Sequence, residues 1–149
     1  MILGPIQASR QHLEVARESL KRQEYGEALA STRAASMDCV VFNFGEDNRA
    51  GRRDLSTASS AEQEYKLGDP CKLRLVVKNA TTLTRDPELI AGVKYQLQTV
   101  IRQFNLLDDM LERAQQGDGK AVEGVSQLLD DALTLNTKFE ESIKRCLGL

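Results

Sequence analysis

Residues 87–115 read PELIAGVKYQLQTVIRQFNLLDDMLERAQ, and the period of this stretch decides the fold. Val93, Leu97, Val100, Phe104, Leu107, Leu111 and Ala114 recur at alternating steps of four and three, so one apolar stripe follows a helix throughout. At roughly 1.5 Å per residue that helix is about 43 Å long. Asp86-Pro87-Glu88 marks its start, with a carboxylate at the N-cap and a proline where the missing N–H is harmless. Gln116-Gly117-Asp118-Gly119 interrupts the pattern, and a second periodic run occupies about 120–147 through Val125, Leu129, Ala132, Phe139, Ile143 and Cys146. Asn136 stands in that second stripe at an apolar position. Two long helices joined by so short a break must lie antiparallel, so 87–147 reads as a helical hairpin.

The same reading extends upstream. Gly4-Pro5 opens a helix whose stripe is Ile6, Ser9, Leu13, Ala16 and Leu20, ending near Gln23. A second helix is expected from about Tyr25 to Phe44, since Ala28, Thr32, Ala35, Cys39 and Phe42 keep the helical step, although Cys39–Phe44 also has strand-like composition. Residues 45–60 are polar, small and aperiodic, and form an irregular loop. Ser59 and Ser60, each followed three residues later by Glu62 or Gln63, offer capping boxes for a short helix ending at Gly68. Asp69-Pro70 announces a further helix over 70–84 with Leu73, Val76, Ala80 and Leu83 on one face; the alternation in Lys72-Leu73-Arg74-Leu75 keeps a strand open there. The expected architecture is an all-α bundle of about five helices, one domain over 1–149, built around the C-terminal hairpin.

Composition narrows the functions. The chain has 149 residues, 41% hydrophobic and 28% charged, with 20 Lys+Arg against 22 Asp+Glu. That length encloses one core without a staple. The net charge of -2 argues against a wholesale polyanion binder. No apolar run approaches ~18 residues, so no membrane span is expected. The opening residues lack the basic flank and apolar core of a secretory signal. One histidine (His12) removes His-clustered metal sites. Cys39, Cys71 and Cys146 are scattered and odd in number, which reads as reduced thiols in a cytoplasmic protein: Cys39 and Cys146 in the core, and Cys71 in a first helical turn that can lower a thiol pKa.

Candidate sites follow from the remainder. Arg49, Arg52 and Arg53, with Lys66, Lys72, Arg74 and Lys78 downstream, are the only local basic concentration, suited to a phosphate or an acidic partner but without interleaved aromatics. Leu128, Leu133 and Leu135 widen the apolar surface of the last helix into a possible homodimer or partner interface, with Asn136 fixing register. Acids gather at Asp108, Asp109, Glu112, Asp130 and Asp131, but no Glu-x-x-His accompanies them, so pairing such as Asp109–Arg113 explains them better than a metal. Exposed i,i+4 pairs are also expected at Glu18–Arg22, Glu140–Lys144 and Glu141–Arg145. No cofactor or catalytic constellation is evident.

Two family patterns resemble the N-terminal hairpin. Tyr25, Ala28, Leu29 and Ala35 are similar in spacing to a single tetratricopeptide repeat, although no second unit follows at the repeat distance. The helix, aromatic turn and Ala-rich helix of the first 40 residues also resemble HEPN-like bundle domains. That resemblance implies binding of RNA or a nucleotide, with a toxin–antitoxin type setting, but its nuclease motif (an Arg followed four to six residues later by His) is absent, since no His follows Arg49, Arg52, Arg53 or Arg74. The residues themselves point to a non-catalytic helical module that self-associates or docks a protein partner.

Overall fold

The computed structural model describes residues 2–40 and 70–149. Among them lie five helices and no strand: α1 Gly4–Lys21, α2 Tyr25–Ala35, α3 Lys72–Thr81, α4 Pro87–Gln115 and α5 Gly119–Cys146. The all-α bundle is as the periodicity implies. Every stripe residue named for α4 is buried, and so are those of α5, Asn136 included.

Local chemistry sets the helix ends. Asp86 accepts hydrogen bonds from the amides of Glu88 (3.0 Å) and Leu89 (3.3 Å), and Asp118 does the same for Lys120 and Ala121. Between them Gly117 adopts a left-handed φ of 93°, and the Asp118 amide donates to the Arg113 carbonyl at 3.0 Å, closing α4 and reversing the chain. The α1–α2 turn uses the same device with Gln23 at φ 58°, the Glu24 amide donating to the Ser19 carbonyl at 2.9 Å. Gly124 brings α5 close to α4, because a Cβ there would stand 2.9 Å from the Met110 Cε.

The four main helices, α1, α2, α4 and α5, run alternately up and down. Ser9 Oγ near the start of α1 donates to the Ala35 carbonyl at the end of α2, 2.6 Å away. Gly26 sits beside Gln115, and Arg33 beside Asp108 and Glu112, so α2 descends along the C-terminal half of α4. Arg17 faces Asp130 and Arg10 faces Glu140, so α1 and α5 are antiparallel as well. The most extensive packing is α4 on α5, then α1 on α2, with α2 on α4 and α1 on α5 closing the square. The shorter α3 packs on α4 and also on α1 and α5, burying Leu73, Val76, Val77 and Ala80. The buried apolar side chains form one cluster, with Phe104 and Phe139 its largest members.

Four expectations need correction. α2 ends at Ala35 rather than near Phe44: Ser36 Oγ donates to the Arg33 carbonyl, and Met37 and Asp38 turn to left-handed φ values of 54° and 62°. α3 starts at Lys72, where Cys71 Sγ accepts from the Arg74 amide at 3.3 Å, so the cap is a cysteine and not Asp69; it is a helix, not a strand. Cys39 and Cys71 are not free thiols but a disulfide, with Cα atoms 4.0 Å apart. Glu140 pairs with Arg10 across the bundle rather than with Lys144, and Glu18 pairs with Lys21 rather than Arg22. The expected helix before Gly68, Gly45 and the loop 45–60 lie outside the described residues.

The disulfide sits where α2 gives way to α3. Beside it the Lys72 amide donates to the Met37 carbonyl at 3.0 Å, and Lys72 Nζ lies 3.5 Å from Asp38. The described segments ending at Val40 and beginning at Pro70 are therefore joined at one clamped point.

Candidate functional site

The residues singled out by sequence do not converge. Arg49, Arg52 and Arg53 lie outside the described residues. Leu128, Leu133 and Leu135 are half-buried on α5 and pack against the core. Asn136 is 2% exposed, and its Nδ2 donates to the Ile6 carbonyl at 3.3 Å, so its amide ties α5 to α1 within one chain; its Oδ1 has no partner among the described residues. His12 is half-buried on α1. Asp109 pairs with Arg113 as the spacing requires. Asp108, four residues before Glu112, turns inward instead. Among the described residues no three His, Cys, Asp or Glu side chains gather as metal ligands.

Cys71 has no thiol to activate, because it is bonded to Cys39. Cys146 is free and buried; loss of hydration, with Asp86 adding repulsion, pushes its thiol above the ordinary range, which disfavours the nucleophilic thiolate.

Three partly buried ion pairs, made by two arginines, carry no signal in local spacing. Arg33 Nε lies 2.6 Å from Asp108 Oδ1, and its Nη2 2.6 Å from Glu112 Oε1. Arg10 Nη2 contacts both Glu140 oxygens, at 2.6 and 2.9 Å. Both fasten one hairpin to the other, which is structural work.

A groove lies between α3 and α4. One wall is Arg74, Val77, Lys78 and Thr81 on α3; the other is Lys94, Leu97, Gln98 and Ile101 on α4. Each wall repeats the offsets 0, 3, 4 and 7, so each is one face of a helix over two turns, about 10 Å long. The groove has a volume of about 490 Å³. Val77, Leu97 and Ile101 supply its apolar floor, while Arg74 and Lys78 on one wall and Lys94 on the other supply cations; among the described residues no acid lines it. Leu75 and Tyr95, adjacent in sequence to its rims, are 53% and 67% exposed. Sequence inspection registered Arg74 and Lys78 as downstream members of a basic loop cluster. Lys94 was missed, because only the packing of α3 on α4 brings it opposite them.

A second cavity, between the α1–α2 turn and α5, is bridged by Arg17 facing Asp130 at 3.9 Å and so has its charges already matched. No described helix is long and apolar enough to cross a membrane. Comparison of the chain with protein-family models, with curated proteins and with solved structures finds no match.

Proposed function

We propose that the chain is a non-catalytic helical interaction module whose docking surface is the α3–α4 groove. The observation that carries this is the pair of two-turn helical faces enclosing an apolar floor with cations on both rims. A groove of this kind suits an inserted helix, which anchors through residues spaced 0, 3, 4 and 7. Nucleic acid would satisfy the cations through its phosphates but would leave the floor uncovered.

A photo-crosslinking residue at Gln98 tests the reading. It is expected to give a discrete adduct, with a second copy or with another protein, that Ile101→Asp abolishes. Adducts that persist in Ile101→Asp, or that form equally from Gln127 on α5, reject it.

The cytoplasmic setting expected from the cysteine pattern has a condition attached. Cytosolic thiols are kept reduced, so Cys39–Cys71 would there be a redox-responsive bond, whereas in an oxidising compartment it is a permanent one. Counting the alkyl groups added when cells are lysed directly into denaturant with excess alkylating agent separates the two settings: three per chain fit the first, and one, on Cys146, fits the second.

A further inference from the structure

We propose that the α3–α4 groove takes one α-helix of a partner protein, carrying acidic side chains on both sides of an apolar ridge. This rests on the groove being the docking surface. Three observations name the occupant.

The first is continuity with an interface the fold already uses. Lys94, Gln98, Ile101, Asn105, Asp108 and Glu112 follow one another along α4 at steps of 4, 3, 4, 3 and 4, and so share a face. The upper end of that face already receives a helix: α2 docks there through Arg33 on Asp108 and Glu112. The lower end, from Lys94 to Ile101, is the wall of the groove. A second helix laid on the lower end extends a packing mode present in the same molecule.

The second is charge. At the upper end the α4 face is acidic and its helix brings an arginine. At the lower end the signs are reversed. α3 contains Lys72, Arg74 and Lys78 and no acid, and α4 has no acid between Glu88 and Asp108. Neither Lys78 nor Lys94 forms an ion pair among the described residues. They stand on opposite walls, so the complementary helix needs carboxylates on both flanks of its buried ridge.

The third is the floor. Val77 and Leu97 are nearly buried, so half-buried Ile101 offers most of the apolar surface there, and it asks for apolar side chains between those carboxylates at the 0, 3 or 4, 7 spacing that two turns permit.

The test uses a fluorescein-labelled designed helical peptide of about 15 residues, with a leucine ridge flanked by glutamates, and its counterpart with lysines for glutamates. Anisotropy is followed against the full chain at low and high salt. The glutamate peptide is expected to bind about tenfold or more tighter than the lysine peptide, and to weaken with salt. In Lys78→Glu combined with Lys94→Glu, both exposed positions, the order of the two peptides should reverse; circular dichroism melting confirms that this variant folds. Equal binding of both peptides, or an unreversed order in the double variant, overturns the proposal. So does displacement of the glutamate peptide by a single-stranded RNA oligomer that binds more tightly. If neither peptide binds, the acidic-helix proposal falls. Light scattering during gel filtration then shows whether the broader reading falls with it: self-association lost in Ile101→Asp retains the groove as an interface between copies, and none removes that reading too.

Discussion

Replacing Arg33 by methionine is expected to lower the unfolding free energy by about 3 kcal/mol and the melting temperature by roughly 9 °C. The argument turns on what the change leaves behind. Asp108 is 8% exposed, so its carboxylate has exchanged most of its hydration for the guanidinium held 2.6 Å away. Without Arg33 that charge remains buried with a far poorer counterion, and removing one member of a buried pair costs about 3–5 kcal/mol. The low end applies, because Arg33 and Glu112 side chains are 20% and 35% exposed and water relieves part of the loss. Lys21–Glu18, at 66% and 59% exposure, is the contrast: breaking it should cost under about 1 kcal/mol. Adding Asp108→Leu to Arg33→Met should restore much of the stability, since the pair itself contributes less than its disruption costs. Chemical denaturation of the single and double variants measures both effects. An Arg33→Met protein within about 0.5 kcal/mol of the parent would mean that the pair is hydrated in solution and does not fasten α2 to α4.

Loss of the Cys39–Cys71 bond is the other large effect. The two cysteines are separated by 32 residues, and in the chain-entropy treatment a loop of that size is worth about 3.7 kcal/mol of restricted unfolded state, or about 11 °C in melting temperature. Serine at both positions isolates the cross-link, because a serine at 71 still caps α3 by accepting from the Arg74 amide. The double serine variant should melt about 11 °C below the oxidised parent, and the parent treated with dithiothreitol should fall to nearly the same value. Coincident melting with and without reductant would show that the sulfurs are not bonded. The prediction also has a spatial signature. Hydrogen exchange should quicken first at Met37–Val40 and the first turn of α3, while α4 and α5 keep their protection.

How far the fold was legible depends on how local its causes are. α4 and α5 declare themselves, because stripe, caps and break all act within a few residues: Asp86 on Glu88 and Leu89, Asp118 on Lys120 and Ala121, Gly117 at the reversal. The end of α2 was hidden because Cys39 and Phe42 continue the period, while the termination comes from two left-handed residues, Met37 and Asp38, that composition does not mark. The disulfide was hidden for a related reason: cysteine pairing follows Cα distance, and nothing near Cys39 in sequence announces Cys71. The pairings of Arg10 and Arg33 carry no local signal, since their partners lie 130, 75 and 79 positions away. The groove was half legible, as the run of cations on α3 without the wall that faces it.

The junction at Cys39 and Cys71 has a consequence for what kind of object this chain is. With Cα atoms 4.0 Å apart, the two cysteines stand about as close as neighbours along one chain. The chain between the two cysteines is thus a covalently closed loop. Lengthening it costs closure entropy that grows only with the logarithm of its size. Severing it does not separate the halves either: a protease cut anywhere between the cysteines leaves α1–α2 and α3–α5 joined through sulfur as well as through their shared core. The protein can therefore exist as two polypeptides without ceasing to be one molecule, and thiol chemistry then decides whether those two remain together.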